Sequence, residues 1–145
     1  MERGYWWGII VFVVVLAFGV IYYSPPVGQT IIEVGESVIV SGYMDISSID
    51  AQELIANNPD LIIIDVSPNY EQGHLPNAVN YYIGDGSLDA AISNLDPKVK
   101  YLVYCHFASA SRAGAQKLVD AGFTNVYRLE DNYGGWVMRG YPIEY

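Results

Sequence analysis

The sequence predicts an α/β domain built on a parallel sheet and preceded by one transmembrane helix. The α/β class follows from apolar, β-branched runs that alternate with segments of helical periodicity after residue 44. The transmembrane helix follows from a long uncharged apolar run within the first 26 residues. Since a chain of 145 residues has room for one ordinary domain, we divide it into an anchor over 1–26, a tether over 27–44 and a domain over 45–145.

Helices and strands alternate along the predicted domain. Ser47 and Ser48 offer an N-cap for the first helix, Asp96-Pro97 ends the second and Gly122 ends the third. In chain order we expect a helix over 47–58, a strand over 61–64, a helix over 88–95, a strand over 101–104, a helix over 115–122, a strand over 126–129 and a short helix around Trp136. Such alternation with short loops is typical of a parallel sheet.

The run from Trp6 to Tyr23 contains no charged side chain. Extended to residues 4–24 it has 21 residues, which as a helix span about 31 Å and match a hydrocarbon core of roughly 30 Å. Aromatic pairs lie at both ends, and two prolines at 25–26 end the helix. We therefore expect a membrane anchor over 1–26. The alternative is a signal peptide, although no A-x-A-like cleavage site follows the run.

The few basic residues predict the orientation of this anchor. Arg3 precedes the apolar run, whereas the next basic residue after it is Lys98. The positive-inside rule then places the N-terminus in the cytoplasm and the domain outside. We expect a single-pass, membrane-anchored protein with an extracytoplasmic domain. The tether is expected to form a small hairpin, an edge strand or a spacer.

Composition argues against several classes of function. Seven Lys and Arg against 16 Asp and Glu give a net charge of −9, which argues against a nucleic-acid-binding protein. A single cysteine permits no intrachain disulfide and no four-cysteine metal site. With two histidines we expect no structural zinc site.

Cys105 is the first residue of the one loop whose residue types predict a reactive site. It directly follows the predicted strand 101–104, and residues 106–111 lead into the next predicted helix. Ligands of open α/β sheets bind at the carboxyl ends of strands, and small residues before a helix present free backbone N–H groups that can hold an anion. We expect this cradle to lower the pKa of the Cys105 thiol and make the sulfur reactive. The alternative is a buried, inert cysteine.

Five motifs follow one another between residues 61 and 142. They are LIIIDVS at 61–67, GHLPNAVN at 73–80, YC at 104–105, AQKLVDAGFTNVYRLE at 115–130 and W-x3-G-x-P at 136–142. Together they resemble the motifs of the rhodanese-like family, the fold of sulfurtransferases, over residues 45–142. The resemblance implies a three-layer α/β/α arrangement around a central, mostly parallel, five-stranded sheet.

The resemblance also implies a persulfide mechanism centred on Cys105. In active members the cysteine takes the outer sulfur of a small anionic donor such as thiosulfate, or of a protein persulfide, and passes it to cyanide or a thiol acceptor. Backbone N–H groups would hold the persulfide and the donor, without a metal or organic cofactor. The implied substrate-binding residues are His106, Phe107, Ala108, Ser109, Ala110, Ser111 and Arg112.

The loop departs from the family pattern in its charge. Many members carry an arginine in the loop, often five residues after the cysteine, where this chain has Ala110. The nearest cation is Arg112, which we expect either at the mouth of the pocket or in solvent. Because thiosulfate is a dianion and the chain carries −9, an uncharged or protein-borne persulfide is the easier donor.

Two side chains and two other functions stay open. His106 either tunes or relays protons to Cys105 or faces solvent. Asp65, at the end of its strand, either caps the loop, forms a hydrogen bond near the pocket or is structural, and we prefer the structural interpretation. The same fold hosts non-catalytic binding modules, which usually lack the cysteine, and phosphatases or arsenate reductases. The phosphatases have a longer loop, whereas only 17 residues separate Cys105 from Gly122. Sulfur transfer is therefore the preferred interpretation.

Overall fold

The computed structural model describes residues 14–16, 19–21, 30–34 and 37–145, with side chains from residue 42 onward. Four short strands come first. β1 (Val14–Leu16) pairs antiparallel with β2 (Gly19–Ile21), and β3 (Thr30–Val34) pairs antiparallel with β4 (Ser37–Ser41). The second pair is a hairpin, one of the three arrangements expected for the tether.

The first pair differs from the helix expected across residues 4–24. That expectation is wrong for the residues of β1 and β2, whose backbone is extended and paired. Valine and isoleucine dominate both strands, and β-branched side chains favour extended backbone. Within the described ranges no helix has the length and apolar character needed to cross a membrane. The rest of the expected span lies outside the described residues, so the anchor, its orientation and the extracytoplasmic domain stay predictions.

Five further strands and four helices make up the domain. The strands are β5 (Met44–Ile46), β6 (Ile62–Asp65), β7 (Val79–Asn80), β8 (Tyr101–Tyr104) and β9 (Val126–Leu129). The helices are α1 (Ser48–Asn57), α2 (Ser87–Ile92), α3 (Ala108–Asp120) and α4 (Asn132–Met138), and a 3-10 turn covers Tyr70–Gln72. Of the two serines expected as the cap, Ser47 caps α1, since its hydroxyl accepts from the Asp50 N–H at 3.3 Å.

The strands form one sheet in the order β5-β9-β8-β6-β7, and every pair in it is parallel. The parallel five-stranded α/β sheet expected from the sequence is therefore confirmed. The two edge strands were not placed by periodicity, because β5 and β7 have only 3 and 2 residues.

Two cores cover the two faces of this sheet, because successive side chains of a strand point to opposite sides. The core with α2 and α3 contains Ile64, Val66, Leu88, Tyr101, Val103, Cys105, Ala115, Leu118, Phe123 and Val126. The core with α1 and α4 contains Ala51, Ile63, Leu75, Ala78, Leu102, Tyr104, Leu129 and Trp136. The result is a three-layer α/β/α arrangement.

Helix α3 packs closely on the sheet because Gly114 carries no side chain. A Cβ at this position would lie 3.0 Å from Cγ1 of Val66 and 3.4 Å from Cγ1 of Val103. A larger residue would push α3 away from the ends of β6 and β8. Gly114 therefore helps to fix the start of α3 over the loop that begins at Cys105.

Candidate active site

Cys105 and Asp65 lie at the same edge of the sheet. β6 ends at Asp65 and β8 ends at Tyr104, and these two residues are register partners in the parallel pair. The Val66 N–H donates to the Tyr104 carbonyl at 3.0 Å, which continues the pairing to the start of the loop. The strand ends therefore bring a carboxylate close to the cysteine.

The Cys105 thiol is fully buried. Burial raises the pKa of this thiol more than any other influence, and the nearby Asp65 carboxylate also raises it. Hydrogen bonds from the backbone N–H groups of Phe107 and His106 lower the pKa, as expected of an anion cradle. The expected net lowering of the pKa is wrong, because desolvation of the sulfur outweighs these two donors.

The loop after Cys105 is shorter than expected, because α3 begins at Ala108. N–H groups in the first turn of a helix have no carbonyl partner four residues back. Those of Ala108, Ser109 and Ala110 are therefore free for an anion, together with the donors of His106 and Phe107. These five residues stay the predicted binding residues.

Two other predicted binding residues are placed differently. The Ser111 N–H donates to the Phe107 carbonyl at 3.3 Å, and the Ser111 hydroxyl donates to the Ala108 carbonyl at 3.1 Å. The same hydroxyl accepts from Arg128 Nη1 at 3.3 Å. Ser111 therefore lies outside the anion cradle, because both of its donors are used within the fold. Arg112 is exposed in the second turn of α3.

His106 does not face solvent, because its side chain is only 14% exposed. Its ring stacks on Tyr133, with centroids 4.1 Å apart and planes at 16°. Its Nε2 lies 4.0 Å from Oδ2 of Asp65, whose side chain is fully buried. Neither of these two facing atoms has a hydrogen-bond partner among the described residues.

Asp65 is held by its other carboxylate oxygen. Oδ1 accepts from the Ser67 N–H at 2.8 Å. Burial raises the pKa of Asp65, while interactions with Ser67, Tyr104 and His106 lower it to a smaller extent. The Tyr104 hydroxyl accepts from the Leu75 N–H at 3.0 Å, and burial and the Asp65 charge both raise its pKa. Asp65 is thus part of the site in addition to being a strand end.

Sequence reasoning ranked a site position for Asp65 below a structural one, and it missed Tyr133. A carboxylate at the carboxyl end of a buried strand was a usable signal for Asp65. No signal of that kind existed for Tyr133, which reaches the site because Asn132 adopts a φ of 54° at the start of α4. The Tyr133 N–H then donates to the Cys105 carbonyl at 3.0 Å, and its ring covers His106.

Comparison with known proteins gives a consistent family. Residues 48–139 match the model of the family described as "Rhodanese-like domain". The thiosulfate sulfurtransferase GlpE of Coxiella burnetii is 33% identical over 96 residues, which cover 65% of this chain and 87% of that protein.

Solved structures agree with this match. A rhodanese-related protein from Thermoplasma volcanium has a TM-score of 0.61 and 26% identity, covering 70% of this chain and 98% of that one. The polysulfide-sulfur transferase homodimer from Wolinella succinogenes has a TM-score of 0.59 and 26% identity, covering 70% of this chain and 78% of that one.

Proposed function

Because the chain belongs to the rhodanese-like domain family, we propose that it is a sulfurtransferase or persulfide carrier acting through Cys105. One observation carries this proposal. The only cysteine of the chain lies at the carboxyl end of a central strand, where the backbone N–H groups of His106 and Phe107 act to lower the pKa of its thiol against the larger effect of burial. Relatives named as thiosulfate and polysulfide-sulfur transferases support the same reaction class.

Two nucleophilic steps make up the proposed reaction. In the first, the Cys105 sulfur attacks the outer sulfur of the donor, a new S–S bond forms, and the donor's own S–S bond breaks with its electron pair leaving on sulfite or a thiolate. In the second, cyanide or an acceptor thiolate attacks the outer sulfur of the Cys105 persulfide, and the Cys105 thiolate leaves. The backbone N–H groups of residues 106–110 stabilise the anionic sulfur in both steps.

The charge around the site favours a persulfide donor over thiosulfate. Ala110 supplies no positive charge to the loop, and Arg128 is already paired with Asp45 at 2.6 Å. The chain carries −9 in all, which repels a dianion. We therefore expect sulfur to load faster from an alkyl or protein persulfide than from thiosulfate.

Intact mass of the full-length chain tests the reaction. We expect a gain of about 32 Da, one sulfur, after treatment with a persulfide donor, and a slower gain with thiosulfate. Cys105→Ser is the matched control and should gain nothing. Failure of the wild-type chain to gain sulfur from either donor would contradict the proposal and favour a non-catalytic binding module.

We also propose that the apolar run over residues 4–24, strands β1 and β2 included, anchors the domain in a membrane, with the domain outside the cytoplasm. The uncharged apolar run and the position of Arg3 support this proposal. Sulfur would then be relayed to thiols outside the cytoplasm. After carbonate extraction of membranes, the full-length chain should stay with the membrane fraction, and its recovery in the soluble fraction would contradict the anchor.

A further inference from the structure

Two buried polar atoms face each other where strand β6 ends and the loop that starts at Cys105 begins. Oδ2 of Asp65 and Nε2 of His106 lie 4.0 Å apart, and within the described part of the chain neither has a hydrogen-bond partner. The Asp65 side chain has no exposed surface. Since nearly all buried polar groups are paired, two unpaired ones that face each other at a candidate active site call for an explanation.

The charged and titratable groups around Asp65 come from four elements. They are Cys105 after β8, Tyr104 on β8, His106 in the loop, Tyr133 on α4 and Tyr70 in the 3-10 turn. Burial is the largest influence on each of the three tyrosines and raises its pKa, and the Asp65 charge raises it further, so these hydroxyls stay neutral. Among these groups His106 is the one that can become positively charged.

Sulfur loading changes the charge next to Asp65. The resting thiol is neutral, whereas a persulfide carries one negative charge. If the thiol proton left the site, the buried pocket would hold two negative groups, Asp65 and the persulfide, with no arginine in the loop to compensate them. Like charges in a desolvated site repel strongly. The charge of the pocket stays constant only if the proton remains inside it.

Resting on the sulfur-transfer function proposed above, we propose that His106 takes up the proton that Cys105 loses on loading and holds it against Asp65 until the sulfur leaves. His106, which the sequence left as a proton relay or a solvent-facing residue, and Asp65, which it favoured as a structural carboxylate, thus act as one pair. His106 exchanges the proton with the Cys105 sulfur, whereas Asp65 acts through His106 and is a positioning residue.

The geometry suits a pair that closes when it becomes charged. An imidazolium carries a proton on both ring nitrogens, so charged His106 necessarily presents Nε2–H to Asp65 Oδ2. Charge-assisted N–H···O bonds are about 2.8 Å long, so the two atoms need to approach by only about 1 Å. Stacking on Tyr133 keeps the ring in the plane that faces the carboxylate.

The proton balance of the two steps is complete without any further reagent. On loading from thiosulfate, the Cys105 S–H bond breaks and its proton goes to His106, the Cys105 S–S bond forms, and sulfite leaves with the electron pair of the donor S–S bond. On unloading, an acceptor thiolate takes the outer sulfur, and the Cys105 thiolate takes the proton back from His106. The pocket returns to a neutral thiol, a neutral imidazole and the Asp65 carboxylate.

Nitrogen NMR of the full-length chain tests the inference directly, because the chain has two histidines and His106→Gln identifies the signal that belongs to His106. At about pH 8, where an ordinary histidine is neutral, we expect the His106 ring to be neutral in the unloaded protein and imidazolium after loading. The His74 signal in the same spectrum is the internal control and should not move. In loaded Asp65→Asn, the His106 ring should stay neutral.

The outcomes separate this inference from the proposed function. A 32 Da gain with a His106 ring that stays neutral, or that is already imidazolium before loading, would overturn the inference and leave sulfur transfer standing. An imidazolium in loaded Asp65→Asn would overturn the part assigned to Asp65. If no donor produces the mass gain, the sulfur-transfer function fails and the inference fails with it.

Discussion

Two pairs of a carboxylate and a basic side chain lie at the sheet, and they are satisfied to different degrees. Arg128 on β9 reaches Asp45 on β5 at 2.6 Å and Ser111 at 3.3 Å. His106 and Asp65 approach only to 4.0 Å, and their facing atoms lack partners within the described residues. A satisfied pair stabilises the fold, whereas an unsatisfied one reduces stability. The difference supports a structural role for the first pair and the proposed proton-holding role for the second.

The largest effect should come from the unsatisfied pair. We expect His106→Gln to slow sulfur loading at about pH 8 by about 100-fold. The variant has no acceptor for the thiol proton and no positive charge to compensate the negative charge of the persulfide. The rate of the mass gain under quenched conditions measures this. His74→Gln is the matched control, since His74 stacks on Tyr70, with centroids 3.7 Å apart, and should change the rate less than threefold. Equal rates in His106→Gln and wild type would contradict the role of His106.

The satisfied pair should show its effect in stability. Asp45→Ala leaves the buried guanidinium of Arg128 without its carboxylate and should lower the free energy of unfolding by about 2 kcal/mol. This is less than for a fully buried pair, because the Asp45 side chain is 42% exposed. Urea unfolding measures the loss. Asp60→Ala, an exposed carboxylate, is the control and should change stability by less than about 0.5 kcal/mol. If Asp45→Ala lowers the free energy of unfolding no more than Asp60→Ala does, the Arg128–Asp45 pair does not stabilise the fold.

Ser111 can distinguish the Arg128–Asp45 pair from the His106–Asp65 pair, because it lies between the predicted binding loop and Arg128. Ser111→Ala removes an acceptor from Arg128 and should cost about 1 kcal/mol of stability, with the sulfur-loading rate unchanged. Unfolding and loading measured on the same sample check both statements. Ser109→Ala, at an exposed side chain, is the stability control. If Ser111→Ala loads sulfur much more slowly while its stability is unchanged, Ser111 is a binding residue after all.

The smallest effect concerns the pH dependence of stability at Asp65. Burial raises the pKa of Asp65 from its ordinary value of 3.8, so the folded protein binds this proton more tightly than the unfolded chain. Its stabilising contribution is full below 3.8 and is lost as the pH rises through the folded pKa. Asp65→Asn lacks this loss, so its stability relative to wild type should increase as the pH is raised from 3 through 7. A difference that is constant with pH would show that Asp65 does not titrate as an isolated buried carboxylate.

The sequence predicts the central part of the fold well and the edges poorly. The β8 strand was predicted at residues 101–104 because four consecutive apolar residues are typical of a central strand, and all four are buried in the structure. The edge strands β5 and β7 are held by pairing with neighbours distant in the chain, and such short segments carry no periodic signal. The strands β1 and β2 were expected to be helical for another reason: they lie in a long apolar run, and an apolar run alone does not distinguish helix from strand.

At the site, position was predictable and environment was not. Cys105 could be found because it follows a buried strand and precedes a helix. The direction of the shift in its pKa was predicted wrongly. The pKa is raised by burial of the sulfur and by the Asp65 carboxylate, and both effects come from residues distant in the sequence. Ser111 was counted as a binding residue because the start of α3 and the partner Arg128 are not visible in the local sequence.

Transfer of labelled sulfur from the loaded chain tests the central claim most directly. The full-length protein is loaded with a donor labelled in its outer sulfur, freed of excess donor, and mixed with cyanide or an acceptor thiol. We expect one labelled sulfur per Cys105 to appear on the acceptor and the protein to return to its unloaded mass, with no transfer in Cys105→Ser. Label that stays on the protein, or that reaches the acceptor equally well in Cys105→Ser, would contradict sulfur transfer through Cys105.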